Sequence, residues 1–217
     1  MKILPLAILA TTASFLISCG SQSEEQLSTS PPTETEEGSC CSSHPTLPAA
    51  EIETISEDSI YQLESTWKDQ TGKDRDLKSL AGKIQVLTMG YTTCKYACPR
   101  LLADMRAIED GLPEDIRNET GFVFVSIDPE RDTPQRLAEY EKESEVDPTR
   151  WTMLTAETPS VQELAVVLGI QYRKVDDTDF AHSNLITVLS VQGEILYRQE
   201  GLGAAPAKAI QAILDAQ

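Results

Sequence analysis

The chain has 217 residues, with 35 acidic and 18 basic side chains and a formal net charge of −17. This acidic balance excludes nucleic acid and anionic membrane surfaces as expected partners, because both would repel the protein. The length suits one domain of ordinary size with additional segments, and a hydrophobic content of 40% is enough for a buried core.

The N-terminal residues are typical of a bacterial lipoprotein signal. Lys2 precedes an apolar stretch at residues 4–17 that is short for a membrane span. The sequence LISCG at residues 16–20 resembles a lipobox, in which Cys19 would carry the lipid. We therefore expect a signal peptide at residues 1–18 and a lipid-anchored protein on the periplasmic face of the cell envelope. The alternative is an ordinary signal peptide with an incidental cysteine.

Residues 19–57 are rich in Ser, Thr, Glu and Pro and are predicted to form a disordered acidic tether, because they have too few apolar side chains for a core. The tether contains the sequence GSCCSSH at residues 38–44. Cys40, Cys41 and His44 could together bind a soft metal such as Cu(I) as an accessory site. Alternatively, they are two linker thiols with an incidental histidine.

The first half of the remaining chain alternates between strand and helix patterns. Residues 60–67 alternate as a strand does, and turn chemistry at residues 68–72 predicts an N-terminal hairpin. Asp76 is predicted to cap a helical turn, and residues 84–89 form an apolar strand. A helix is predicted over residues 99–108, and the apolar run at residues 121–127 predicts a central strand covered on both faces.

The second half continues the same alternation. Thr133 and Thr158, each followed by a proline, are predicted N-caps of two further helices, with a strand at residues 151–154 between them. A hairpin is predicted over residues 185–198, and a final helix begins at Pro206 with Ile210 and Leu214 facing inward. Residues 58–217 are therefore predicted to form one α/β domain with a thioredoxin-like fold, in which helices flank a central mixed sheet behind an N-terminal hairpin.

A pair of cysteines lies between the apolar strand and the first long helix. The sequence there is GYTTCKYACP at residues 90–99. Pro99 is favoured at the first helical position, which makes Cys98 the predicted N-cap near the positive end of the helix dipole. That environment favours a thiolate, which is the form that binds metal or attacks a disulfide.

The spacing of this pair leaves more than one chemistry open. Three residues separate Cys94 from Cys98, whereas redox catalysts of the thioredoxin type have two. The longer loop can close a disulfide or hold two sulfurs apart around an ion. His182 is the only histidine in the predicted domain, in a predicted loop, and two thiolates with an imidazole suit copper. The alternatives are a structural disulfide and a hydrogen-bonded loop histidine.

Three motifs in order resemble the Sco/SenC family. They are the GYT-x-C-x-x-x-CP motif at residues 90–99, the SIDPERDTP sequence at residues 126–134 and the His182-Ser183 pair. The resemblance implies a thioredoxin fold, with copper, as Cu(I) or Cu(II), bound by Cys94, Cys98 and His182. It also implies a role in assembling the binuclear copper centre of cytochrome c oxidase. Asp128 matches the family's acidic residue near the site, which positions the loop or docks a partner.

The family likeness leaves two functions open. The first is a metallochaperone, rather than an enzyme, whose partner is cytochrome c oxidase subunit II or another copper acceptor. The second is an extracytoplasmic thiol–disulfide oxidoreductase, in which Cys94 and Cys98 form a redox-active disulfide that a thioredoxin-like reductant restores. One departure from the family pattern concerns the residue before His182. The family commonly has an aspartate there, whereas this chain has Ala181 and places Asp179 three residues before the histidine.

Overall fold

Strands and helices alternate along residues 55–217, the part of the chain that the computed structural model describes. The strands are β1 (Trp67–Asp69), β2 (Asp74–Arg75), β3 (Ile84–Gly90), β4 (Thr120–Ser126), β5 (Trp151–Ala156), β6 (Tyr172–Lys174), β7 (Phe180–His182), β8 (Leu185–Leu189) and β9 (Ile195–Glu200). The helices are α1 (Ala97–Gly111), α2 (Glu114–Asn118), α3 (Pro134–Glu143), α4 (Thr158–Leu168) and α5 (Ala207–Leu214).

Seven strands form one mixed sheet in the order β2-β1-β5-β4-β3-β8-β9. The central strands β3, β4 and β5 run parallel, and antiparallel pairs complete the sheet on both sides. The hairpin β1–β2 lies at one edge. The predicted mixed sheet and the predicted N-terminal hairpin are both confirmed. The two remaining strands, β6 and β7, pair only with each other in a separate two-stranded sheet.

The sheet separates two apolar cores, and β4 contributes to both. Val123 and Val125 face the core that α4 covers, whereas Phe122 and Phe124 face the core beneath α1, α3 and α5. A strand covered on both faces needs apolar side chains at consecutive positions, which is why residues 121–127 show no polar alternation.

Local capping chemistry accounts for some helix starts and not for others. Thr133 accepts a hydrogen bond from the Arg136 N–H at 3.3 Å, and Pro134 is the first residue of α3, as predicted. The prediction for α4 was wrong by one residue. Glu157 is its N-cap and Thr158 is already helical, while the helix ends at Gly169 in the left-handed conformation.

The predicted strand at residues 60–67 is wrong over most of its length. Residues Ile60–Gln62 form a 3-10 turn, and extended structure begins only at Trp67. Ser59 caps this turn by accepting a hydrogen bond from the Tyr61 N–H, and its hydroxyl donates to the Gln192 carbonyl in the β8–β9 hairpin. The segment is therefore shaped by a distant turn, which overrides the local alternation of apolar residues.

Two predictions about helices also need correction. Helix α2 was not predicted, although the two acidic residues in its first turn are an ordinary start signal. In α5, Ala209 and Ile213 are buried, whereas Leu214 was predicted to face inward and is 37% exposed. Within residues 55–217, no helix combines the length and the apolar character that crossing a membrane requires.

Candidate metal and thiol site

The cysteine loop begins where β3 and β4 end side by side. Gly90 pairs with Ser126 in the last register of the two parallel strands, so the segments that follow both strands leave from the same edge of the sheet. A side chain at Gly90 would place its Cβ 2.7 Å from the Cys98 sulfur and 3.0 Å from the Phe124 ring. The glycine is therefore required because the helix that carries Cys98 packs directly against this strand end.

The first turn of α1 places the two thiols differently from the prediction. Tyr96, not Cys98, is the N-cap, and Cys98 is the second helical residue with its side chain fully buried. The Cys94 sulfur accepts a hydrogen bond from the Cys98 backbone N–H at 3.4 Å. Cys94 therefore occupies the position at the helix N-terminus that had been assigned to Cys98.

The surroundings of the two sulfurs make them chemically unequal. A hydrogen bond from the Cys98 thiol lowers the pKa of Cys94 to about 4, against the opposing effect of burial. The same hydrogen bond raises the pKa of Cys98, and burial raises it further. Both residues are free thiols in the structure, Cys94 partly exposed and Cys98 buried. At neutral pH, Cys94 is the thiolate and Cys98 is the hydrogen-bond donor.

His182 lies next to this pair, on strand β7 rather than in the loop that the sequence predicted. Its Nε2 atom is 3.8 Å from the Cys98 sulfur, and its Nδ1 atom is 3.0 Å from the Ser183 carbonyl oxygen. Because a carbonyl only accepts, the proton belongs on Nδ1, and Nε2 presents its lone pair toward the sulfurs.

The three predicted ligands are thus brought together from distant parts of the chain. One donor atom from each of Cys94, Cys98 and His182 lies within 4.8 Å of the other two. Metal–sulfur bonds of about 2.3 Å and metal–nitrogen bonds of about 2.0 Å in a trigonal site would separate the donor atoms by roughly 4 Å. The cluster therefore fits one ion after small side-chain adjustments.

A buried carboxylate that the sequence interpretation missed holds the cysteine loop. Asp132 accepts hydrogen bonds from the Thr92 N–H at 3.0 Å, from the Thr92 hydroxyl at 2.6 Å and from the Ser126 hydroxyl at 2.6 Å. Burial raises its pKa, and these hydrogen bonds oppose the shift. Asp132 belongs to the same DPERD sequence as Asp128, so the signal for a second acidic role was present.

Asp128 acts on the other side of the site through an arginine. Its carboxylate accepts a hydrogen bond from the Arg131 guanidinium. Arg131 also donates to the Thr178 carbonyl at 3.0 Å and lies over the Phe180 ring, 6.0 Å from its centre. The described geometry connects Asp128 to the segment that leads into β7.

An open cleft gives access to the cluster. Its volume is about 730 Å³, and Cys94 and His182 are among its lining residues. Tyr96, between the two cysteines in sequence, also lines it and is 87% exposed. A partner that enters this cleft meets Cys94 and His182 before it meets the buried Cys98.

Several predicted residues lie outside the part of the chain that is described. They are the lipidation candidate Cys19 and the accessory metal candidates Cys40, Cys41 and His44, together with the signal peptide and the tether up to residue 54. The predictions for these residues remain predictions.

Comparison with known proteins identifies relatives that are similar in sequence and in fold. A Stutzerimonas stutzeri protein named for copper binding is 29% identical over 143 residues, which cover 64% of this chain and 68% of that protein. The crystal structure of Arabidopsis thaliana ScoI with copper bound is 26% identical, with a TM-score of 0.62, and the alignment covers 70% of this chain and 94% of that chain.

The fold is also shared with BsSco, a member of the Sco family of cytochrome c oxidase assembly proteins, in whose structure a disulfide switch was identified. That chain is 22% identical, with a TM-score of 0.61 and coverage of 70% of this chain and 90% of that one. These similarities confirm the predicted thioredoxin-like fold. The family model described as SCO1/SenC matches residues 55–215, nearly all of the described part, and the chain therefore belongs to the SCO1/SenC family.

Proposed function

We propose that this protein binds copper through Cys94, Cys98 and His182 and delivers it to, or matures, the binuclear copper centre of cytochrome c oxidase. The observation that carries the proposal is the convergence of the three donor atoms within 4.8 Å. Two sulfurs and an imidazole are ligands that copper prefers. The fold is shared with Arabidopsis ScoI, whose crystal structure contains copper.

The exposure of the ligands suggests an order for copper transfer. Cys94 and His182 line the open cleft, whereas Cys98 is buried behind them. An acceptor ligand that enters the cleft therefore displaces an exposed ligand first, while the buried sulfur holds the ion until the last exchange. We propose subunit II of the oxidase, or another copper acceptor, as the partner.

The N-terminal sequence supports a proposal for the location of the protein. We propose that a lipid on Cys19 anchors the chain to the cell envelope with the domain on the periplasmic side. The LISCG sequence after a short apolar stretch supports this placement. A compartment of this kind oxidises thiols, so Cys94 and Cys98 would need a thioredoxin-like reductant before they accept copper.

A second candidate function is thiol–disulfide reduction, favoured by the unequal thiols. The Cys94 thiolate would attack a disulfide of the acceptor, forming a mixed disulfide and releasing one acceptor thiol. Cys98 would then attack the Cys94 sulfur, releasing the second acceptor thiol and leaving a Cys94–Cys98 disulfide. This sequence reduces the acceptor by two electrons and requires both cysteines, but it has no role for His182.

Delivery and reduction can be separated with a purified soluble acceptor domain from oxidase subunit II. We expect the copper-loaded protein to transfer its ion to the copper-free acceptor when the acceptor cysteines are already reduced, with no change in the acceptor's thiol count. The measurements are the acceptor's copper content and its free thiols. If the metal-free protein reduces an oxidised acceptor while the loaded protein transfers no copper, the reductase function replaces the delivery function.

The cysteine pair of the tether is proposed to be an accessory copper-capturing site. We expect the Cys40→Ser/Cys41→Ser variant to bind less Cu(I) per chain than the unmodified protein and to load its folded domain more slowly, because two soft ligands are removed. Copper titration and stopped-flow loading measure the two effects. The matched control is Ser42→Ala, which changes the same segment without removing a soft ligand. Unchanged stoichiometry and loading rate would contradict this role.

A further inference from the structure

Tyr91 contacts the segments that carry all three candidate ligands. Its backbone N–H points to the Cys98 sulfur at 3.4 Å, and its carbonyl accepts a hydrogen bond from the Cys94 N–H at 3.3 Å. Its ring lies edge-on to the His182 ring, with 5.9 Å between centres. The residue is buried, with 2% of its surface exposed.

The hydroxyl of Tyr91 reaches the segment that leads into β7. It donates a hydrogen bond to the Asp179 carboxylate, and it accepts one from the Phe180 N–H at 3.4 Å. The same carboxylate accepts from the Phe180 N–H at 3.0 Å. A hydrogen bond to a charged acceptor is among the stronger ones. The side chain of Tyr91 therefore reaches the start of β7, while its backbone contacts both cysteines.

Tyr172 and Phe180 of the β6–β7 hairpin pack against the core, but few polar contacts connect this hairpin to the rest of the domain. Each of its strands has three residues, and neither pairs with the seven-stranded sheet. An isolated two-stranded hairpin is at best marginally stable in water. Besides Tyr91, Arg131 makes a polar contact to the hairpin segment through the Thr178 carbonyl, and Lys174 forms a surface pair with Glu130 at 3.6 Å. Exposed ion pairs of this kind contribute little.

We propose that Tyr91 is a positioning residue that, through the hydrogen bond from its hydroxyl to Asp179, holds β7 where His182 can share an ion with Cys94 and Cys98. The family commonly carries a carboxylate directly before the histidine, whereas this chain has Asp179 three residues before His182, in reach of this phenol. A phenylalanine would fill the same space without making the connection. The inference rests on the proposed three-ligand copper site.

The test compares Tyr91→Phe with the otherwise unmodified full-length protein, both in the Cys40→Ser/Cys41→Ser background so that the tether cysteines bind no copper, and both loaded with Cu(II). We expect the coupling of the imidazole nitrogen in pulsed EPR to weaken or disappear. Copper affinity, measured by chelator competition, should fall about 10- to 100-fold, the usual cost of removing a group that orients a metal ligand. The matched control is Tyr172→Phe, whose hydroxyl makes no hydrogen bond within the described residues and whose removal should leave both measurements unchanged.

Asp179→Ala provides the second arm of the test, because Asp179 is exposed and its loss should not unfold the domain. If the pair acts as a unit, the double variant loses no more affinity than either single variant. Additive losses would overturn the inference, as would unchanged nitrogen coupling and affinity in Tyr91→Phe. Absence of nitrogen coupling in the unmodified protein would overturn the three-ligand site and this inference together. Normal coupling there with an unaffected Tyr91→Phe would overturn the inference alone.

Discussion

Replacing His182 by alanine is expected to weaken copper binding by more than about 100-fold, while leaving thiol–disulfide exchange intact. Changing only the hydrogen-bond partner of a metal ligand already costs about 10- to 100-fold, so removing the ligand itself should cost more. The exchange reaction needs a thiolate and a second thiol, and neither step uses an imidazole. Chelator competition measures the affinity, and reduction of a peptide disulfide measures the exchange.

The accessory cysteines could mask this loss, so the experiment belongs in the Cys40→Ser/Cys41→Ser background. The matched control is His44→Ala, because His44 is the other histidine of the chain. That variant should retain tight binding in this background. Tight binding by His182→Ala would contradict the three-ligand site. If both substitutions also leave oxidase assembly in cells unchanged, the reductase function becomes the better account of the protein.

The parts of the fold that were predictable are those whose cause is local. The start of α3 depends on two adjacent residues. Thr133 accepts a hydrogen bond from a backbone N–H of the first turn, and Pro134 has no backbone N–H that needs a partner. The central strand β4 could be predicted from its apolar side chains at consecutive positions. The 3-10 turn at Ile60–Gln62 was not predictable, because Ser59 is held by a hairpin 133 residues further along the chain.

The residues of the candidate site also divide into those that were predictable from the sequence and those that were not. The two cysteines and the lone histidine of the domain could be named from residue type and spacing. The polar contacts that arrange them could not, since Tyr91 and Asp179 are 88 residues apart and Thr92 and Asp132 are 40 residues apart. The choice of Cys98 as the activated thiol was wrong because it depended on placing Pro99 first in the helix, and α1 begins two residues earlier at Ala97.

This correction changes the expected chemistry of both proposed functions. Disulfide exchange requires an exposed thiolate that attacks first and a second thiol that attacks afterwards, which is the arrangement of Cys94 and Cys98. The same arrangement lets copper bind first at Cys94. Delivery of Cu(I) further requires that Cys98 lose its proton when the ion arrives. The proton that Cys98 donates to Cys94 is therefore released on metal binding, so disulfide exchange begins from a protonated Cys98 and copper binding requires a deprotonated one.

Alkylation of Cys94 in the metal-free, reduced protein is expected to be almost independent of pH between pH 5 and pH 8. With its pKa lowered to about 4 by the Cys98 hydrogen bond, Cys94 remains a thiolate across this range. An ordinary thiol with a pKa of about 8.5 would react nearly 1,000-fold faster at pH 8 than at pH 5. The rate at one pH is less informative, because nucleophilicity falls with pKa and offsets the gain in thiolate.

Peptide-resolved mass spectrometry after brief iodoacetamide treatment measures this profile, because it separates Cys94 from Cys19, Cys40 and Cys41. Glutathione in the same tube serves as the ordinary thiol. Cys98→Ala removes the hydrogen bond that most lowers the pKa of Cys94, so its alkylation profile should shift to higher pH. In Cys94→Ser, the buried Cys98 should remain unmodified at neutral pH. A Cys94 rate that rises in parallel with glutathione would show that Cys94 is an ordinary thiol, and the order of attack proposed for both functions would then be wrong.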